Sequence, residues 1–311
     1  MSKILISDSM NNIAKTIIEN KNIQVDVKTD LSDSDLKEII NNYEGLIVRS
    51  ATKVTKEIIE AGKNLKVIGR AGSGVDNIDL ETAKKYNIIV MNTPGGNTNA
   101  TAEHTFSLLL SIYRNIIEAN KGTHEGLWEK KKFKGLELKG KKMGLIGFGN
   151  VASRVSQIAK GFGMEVFVFS KSFDSRKKDY PYINSVDLNE IILTCDIISF
   201  HCKQPENGKP IITATELNKM KKNTVIINTA RGNLIDENDL KEALKNSTIL
   251  GAGLDVYSKE PAKSNILFST KNLILTPHIA ASTVEAQIVV AEQIAEQVSE
   301  YLNTGKIINS V

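Results

Sequence analysis

Arg231, Glu260 and His278 each stand just past a strand-like run, TVIINTA, GAGLDVYSK and NLILTP respectively. In an open parallel sheet, ligands bind outside the carboxyl ends of the strands. Successive parallel strands lie close together, so three polar residues at three such ends are expected to converge. A guanidinium grips a carboxylate through two parallel hydrogen bonds. An imidazole moves a proton near neutral pH. A carboxylate beside that imidazole orients it and favours its charged form.

Alternating elements must supply those strand ends. Short apolar runs read as strands: KILIS, IQVDV, GLIVR, LKVIG and IIVMN, then KKMGLIG, EVFVFS, DIISFH, TVIIN, ILGAGLDV and NLILT. Helical patterns such as DLKEIINNY and TKEIIEAG lie between them. This alternation predicts parallel sheets with helices on both faces, hence an α/β chain with two such sheets. Thr93-Pro94-Gly95-Gly96 punctuates the pattern and marks a boundary. One long helix is expected from Thr98 to about Ala119, and another from Ser282 to Asn303. In DENDLKEALKN, Asp236 is an expected N-cap, and Lys241 is expected to pair with Glu237 one turn away.

Gly147-Phe148-Gly149-Asn150-Val151-Ala152 follows a strand and opens a helix. The first glycine permits a tight turn, the second lets backbone approach a pyrophosphate, and Ala152 supplies the small third residue. The helix N-terminus then favours the phosphate charge. The next strand, EVFVFS, ends in Ser170-Lys171 where a NAD site usually carries Asp or Glu, and Arg176 is close by. No carboxylate stands there to repel a 2′-phosphate, so NADP is as admissible as NAD.

Composition narrows the partners. Hydrophobic residues make 41 % of the chain, charged residues 24 %, and the net charge is +4. The basic residues are scattered apart from runs at 130–134 and 139–142, and no nucleic-acid motif is present. Cys195 and Cys202 are too few for a disulfide framework or a zinc site and fit a reducing, cytosolic setting. No apolar run reaches the roughly eighteen residues that a membrane span needs. His104, inside AEHTFSLLL, reads as a satisfied core residue, and both cysteines read as small core hydrophobes.

GRAGSGVDNIDLETAKKYNIIVMNTPGGNTNATAEHT (69–105), together with NTARGNLIDE, GLDVYSKEP and TPHIAASTVEAQ, resembles the D-isomer-specific 2-hydroxyacid dehydrogenase family over essentially the whole chain. The resemblance implies two doubly wound domains. One is a flavodoxin-like substrate domain from 1–94 and 283–311; the other is a Rossmann-type dinucleotide domain over 95–282. It implies Arg231 on the substrate carboxylate, His278 as general acid or base and Glu260 as its partner. Gly147, Gly149, Asn150, Val151, Ser170, Lys171, His201, Ala230 and Asp255 would serve the cofactor, NAD or NADP, with Asp255 on the nicotinamide carboxamide. Arg49, Ser50, Arg70, Gly74, Val75 and Asn97 would serve the substrate. Trp128 would reach across a homodimer interface, and no metal is implied.

Two arginines beyond Arg231 suit a phosphorylated hydroxy acid. The expected reaction is therefore oxidation of D-3-phosphoglycerate to 3-phosphohydroxypyruvate. The alternatives are a glyoxylate or hydroxypyruvate reductase on the same scaffold, another D-2-hydroxyacid dehydrogenase, or a dinucleotide-sensing transcriptional corepressor. Three positions depart from the family pattern. Lys203 replaces a proline after His201, Asn150 replaces a frequent basic residue for which Arg154 could compensate, and Ser170 replaces the acid. Longer members continue into serine-binding regulatory domains beyond the point where this chain ends, so feedback through such domains is not expected.

Overall fold

The computed structural model describes residues 2–311. Internal contacts divide it into two units, the segment up to Asn97 together with Ser282–Val311, and Thr98–Ala281.

The first unit is a five-stranded parallel sheet of β1 (Lys3–Ile6), β2 (Gln24–Val27), β3 (Gly45–Val48), β4 (Val67–Arg70) and β5 (Ile89–Asn92), in the order β2-β1-β3-β4-β5. This is the 2-1-3-4-5 arrangement of flavodoxin-like folds. All four residues of β3 are buried, because helices cover both faces and leave no side for water. The strand period sorts them: Leu46 and Val48 join the core under α2 (Asp33–Ile39), α3 (Lys56–Ala61) and α4 (Leu80–Lys85). Ile47 joins the opposite core under α1 (Ile13–Asn20) and α11 (Val284–Thr304). Thr283 caps α11, as its side chain accepts from Ala286 N, and Gly305 ends it in the left-handed region at φ 77°. Gly69 lets α11 seat on β4, since a Cβ there would fall 2.6 Å from Val298 Cγ2.

The second unit holds seven parallel strands: β6 (Lys142–Ile146), β7 (Glu165–Phe169), β8 (Ile183–Ser185), β9 (Ile197–Phe200), β10 (Val225–Asn228), β11 (Gly251–Leu254) and β12 (Leu273–Leu275). Their order is β12-β11-β10-β9-β6-β7-β8. Counted from β6, this is the 3-2-1-4-5-6 order of dinucleotide-binding sheets with one strand added. Its direction of winding reverses between β6 and β9. The helices are α5 (Thr98–Tyr113), α6 (Ile116–His124), α7 (Asn150–Gly161), α8 (Leu188–Thr194), α9 (Ala214–Leu217) and α10 (Glu237–Lys245).

Three sequence expectations need correction here. The single helix expected from Thr98 to about Ala119 is two, α5 and α6, because Asn115 sits in the left-handed region at φ 52°. Asn tolerates that conformation better than other residues with a side chain. The edge strand β8 was not expected, as three residues, INS, carry too little periodicity to show. Lys241 is not the partner of Glu237, whose carboxylate instead accepts from Ser258 N at 2.8 Å and Asn265 Nδ2 at 2.9 Å. Asp236 does cap α10, accepting from Asn238 N and Asp239 N. Among the described residues no helix is long and apolar enough to cross a membrane.

Candidate active site

β10, β11 and β12 are sheet neighbours, parallel and in register, so their carboxyl ends lie side by side. Arg231, Glu260 and His278 all emerge from loops at those ends. Each loop is held by side-chain hydrogen bonds, some local and some to a neighbouring strand end. After β10, the wholly buried Asn228 accepts from Ala230 N at 3.0 Å and donates to Arg231 O at 2.7 Å. Arg231 Nη1 donates to Ala230 O at 2.6 Å. Gly232 follows because nothing larger fits: a Cβ there would lie 1.9 Å from the Tyr257 carbonyl.

After β11, Tyr257 N donates to Glu260 Oε1 at 2.9 Å and the Tyr257 hydroxyl donates to Thr276 O at 2.9 Å. Glu260 Oε2 meets His278 Nδ1 at 2.5 Å. A carboxylate accepting from Nδ1–H leaves Nε2 as the nitrogen that can take up or give a proton. The bond to Glu260 raises the His278 pKa above its ordinary value, burial opposes it, and the nearby Arg231 charge also pulls it down. Burial pushes the Glu260 carboxyl up, but the His278 and Tyr257 bonds outweigh it and hold the group low. The pair is therefore an ionised carboxylate facing an imidazole with strengthened basicity.

Asp255 stands beneath the His278 loop. Its carboxylate is fully buried and accepts from Thr276 Oγ1 at 2.5 Å, Ile279 N at 2.9 Å and Ala280 N at 2.8 Å. Burial pushes its pKa up, and bonds from His104, Thr276 and the two amides overcome that and hold it down. Those bonds bracket His278, which is itself in the left-handed region at φ 54°. Asp255 is thus fixed beneath that loop. His104 is partly buried and satisfied, as expected: its Nε2 lies 3.0 Å from Thr276 Oγ1 and 3.5 Å from Asp255 Oδ1. Sequence reasoning missed Asn228, Tyr257 and Thr276. Their only signal was nearness to the charged residues they support.

The glycine loop lies at the end of β6, beside the point where strand order reverses. Gly147 takes φ 94° and backs onto the chain after β9, where a Cβ would fall 2.5 Å from His201 O. Gly149 precedes α7 with open space where a Cβ would stand, and Ala152 is packed in the core with no exposure. Val151 packs at the edge of that core, and Asn150 is the first residue of α7. This loop fits a dinucleotide: a tight turn, bare backbone facing outward, and a helix N-terminus behind it. His201 bonds Ser199 Oγ through Nε2 at 2.9 Å, and burial pushes its pKa down to about 3, which keeps it neutral. Arg154 turns away to Asn99 and Gln157 rather than standing in for a basic residue in the loop. Burial pushes the Cys195 and Cys202 thiols up to about 11.

In the first unit, Arg49 and Arg70 sit at the carboxyl ends of β3 and β4, with Val48 registered against Arg70. The buried Asp8 holds the Arg49 loop through Arg49 N at 2.5 Å and Thr52 Oγ1 at 2.6 Å. Asn77 Nδ2 braces it further, donating to Arg49 O and Thr52 O. Arg49 Nη1 reaches Ser9 O at 3.0 Å, and Ser50 beside it is exposed. The half-buried Gly74 and Val75 share a loop with Ser73, whose hydroxyl donates to Asn97 Oδ1 at 2.9 Å. Asn92 Nδ2 fixes that loop by donating to Ser73 O at 2.6 Å.

The chain is similar to known proteins. The family described as "D-isomer specific 2-hydroxyacid dehydrogenase, NAD binding domain" matches residues 106–280. D-3-phosphoglycerate dehydrogenase of Synechocystis sp. is 41 % identical over 97 % of this chain and 54 % of its own length. The chain thus spans just over half the length of that relative. Hydroxypyruvate reductase of Thermotoga maritima is 41 % identical over 96 % of this chain and 98 % of its own. An acyclic imino acid reductase solved with NADPH and D-Arg superposes with a TM-score of 0.88 at 32 % identity, covering 99 % of both chains. A family model matching more than half of the chain and a relative 41 % identical over nearly its full length lead to one assignment. The chain belongs to the D-isomer specific 2-hydroxyacid dehydrogenase family.

Proposed function

We propose that this protein is an NAD(P)-dependent dehydrogenase that oxidises D-3-phosphoglycerate to 3-phosphohydroxypyruvate. The observation that carries the choice of substrate is the pair of arginines at adjacent strand ends, Arg49 and Arg70. A simple 2-hydroxy acid has one anionic group, which Arg231 can hold alone. Two further guanidiniums suit a phosphate. The relatives named D-3-phosphoglycerate dehydrogenase, at 41 % identity, support the same reading.

The unit built from the two ends of the chain is assigned to substrate, and the Thr98–Ala281 unit to the dinucleotide. Arg231 holds the C1 carboxylate. His278 Nε2 takes the C2 hydroxyl proton, and Glu260 stabilises the imidazolium that forms. Asp255 fixes the loop on which His278 rides. The loop of Gly72, Ser73, Gly74 and Val75, with Asn97, is assigned to substrate contact. When bound, the oxidised nicotinamide supplies the acceptor for the C2 hydride.

Hydroxypyruvate reduction is the second reading, favoured by a relative matched almost end to end. Steady-state assays with 3-phosphoglycerate, D-glycerate and D-lactate, each with NAD and NADP, separate the two. Arg49→Ala is expected to raise KM for 3-phosphoglycerate by roughly ten- to a hundred-fold, the worth of a charged hydrogen bond. KM for hydroxypyruvate should move little, and equal effects on both would refute the phosphate role.

The protein is further assigned a homodimeric state, supported by the exposed apolar side chains of Ile116, Ile117, Leu127 and Trp128, the last 86 % exposed. Free thiols at Cys195 and Cys202 support a cytoplasmic setting.

A further inference from the structure

We propose that Ser170, Ser172 and Arg176 form a recognition site for an adenosine 2′-phosphate, so that NADP(H) is the preferred nucleotide. The inference rests on the nucleotide site assigned above at the ends of β6 and β7, and goes beyond it by naming which nucleotide that site selects.

Ser170 is the first residue past β7 and borders the glycine loop directly, since Gly147 N donates to Phe169 O at 2.9 Å. A dinucleotide bound on that loop carries its adenine ribose to the end of the second strand. An acid there would accept from the ribose hydroxyls and repel a phosphate. This chain presents two hydroxyls instead, Ser170 Oγ and Ser172 Oγ, 3.1 Å apart. Each can donate to an anion.

Arg176 completes the cluster. Successive turns, Phe173 N to Ser170 O at 3.3 Å and Arg176 N to Phe173 O at 2.8 Å, fold the segment back toward the glycine loop. Phe173 anchors the turn with no exposure, its ring edge-on to Phe148 at 4.8 Å. The guanidinium lies 5.2 Å from the Phe148 ring and 5.4 Å from the Tyr180 ring. Its Nη1 donates to Phe148 O at 3.4 Å and its Nη2 to the Tyr180 hydroxyl at 3.2 Å. These partners are neutral, so they orient the charge without cancelling it. Phe148 is the residue between the two loop glycines, which places a clamped guanidinium on the loop that would carry the nucleotide. A planar fork already held in place loses little freedom on gripping a phosphate. The segment 170–179 adds Lys171, Lys177 and Lys178 against the carboxylates of Asp174 and Asp179. A phosphate placed there meets a net positive field.

Calorimetric titration of the full chain with 2′,5′-ADP, 5′-AMP, NADP+ and NAD+, with no hydroxy acid present, tests this. The 2′-phosphorylated member of each pair is expected to bind roughly tenfold or more tightly than its counterpart, the worth of one charged hydrogen bond or more. Arg176→Met keeps the packing on Phe148 and should erase most of that advantage while leaving 5′-AMP binding in place. Ser170→Asp, at a position past the strand, should reverse the preference, and it decides the matter if Arg176→Met does not fold. Equal binding within each pair, or a ratio unmoved by either substitution, overturns the proposal and leaves the hydroxy-acid assignment standing. Binding of no nucleotide at all would sink the underlying nucleotide site as well.

Discussion

His278 owes its raised pKa first to one bond, the one it donates to Glu260. The sign of its pH dependence follows. If His278 is the base proposed above, oxidation needs the neutral imidazole, because only that form can take up the hydroxyl proton. The rate should therefore fall as pH drops through the raised His278 pKa. Glu260→Gln removes the charge that favours the imidazolium, so the pKa falls and the acid limb of the kcat/KM profile moves to lower pH. The maximal rate should fall as well, by about 100-fold or more, as the imidazolium loses its counter-charge. An acid limb at the same pH in both proteins would show that another group governs it. Asp255 belongs to the same scale: buried and accepting from three donors of the His278 loop, it sets where the imidazole stands.

Loops at neighbouring strand ends depend on one another for their shape, and Gly232 shows how tightly. A methyl at this position would meet the Tyr257 carbonyl at 1.9 Å, and Tyr257 is the residue whose N–H fixes Glu260. Gly232→Ala must therefore displace the Arg231 loop or the Glu260 loop. Overpacking of this kind costs about 1–3 kcal/mol, and kcat should drop further than the stability loss alone explains. Thermal melts alongside steady-state kinetics check both effects. A variant with a lowered Tm and full activity would show that the two loops move independently.

At the scale of the whole molecule, the α6 segment and the loop after it carry several exposed apolar side chains. Ile116 and Ile117 are about half exposed, and Trp128 is almost bare. Single exposed apolar residues are ordinary, but several on one segment mark an interaction surface. If a second copy covers it, sedimentation equilibrium should give twice the chain mass of 34.2 kDa. Trp128→Glu should then shift the protein toward monomer, because burying a carboxylate in an apolar contact is unfavourable. A wild-type monomer at micromolar concentration would rule the assembly out.

Much of this architecture could be read before any coordinates. Strands buried on both faces are continuous apolar runs, so KILIS, GLIVR, MGLIG and TVIIN announced themselves, and their alternation with helices implied parallel sheets. Gly147, Gly149 and Ala152 carried a turn, a close approach and a packing contact in their spacing alone. Arg231, Glu260 and His278 were legible as strand-end residues. The tertiary structure decided what depends on contacts between distant segments. β8 is an edge strand of three residues, too short to show a period. The break at Asn115 follows from a backbone conformation that residue type permits but does not dictate. Asp8, Thr276 and His104 act by bonding segments that meet only once the sheets have formed, and single polar residues carry no periodic signal. Local sequence records which face of a strand is dry; it does not record which loops stand next to each other at the strand's end.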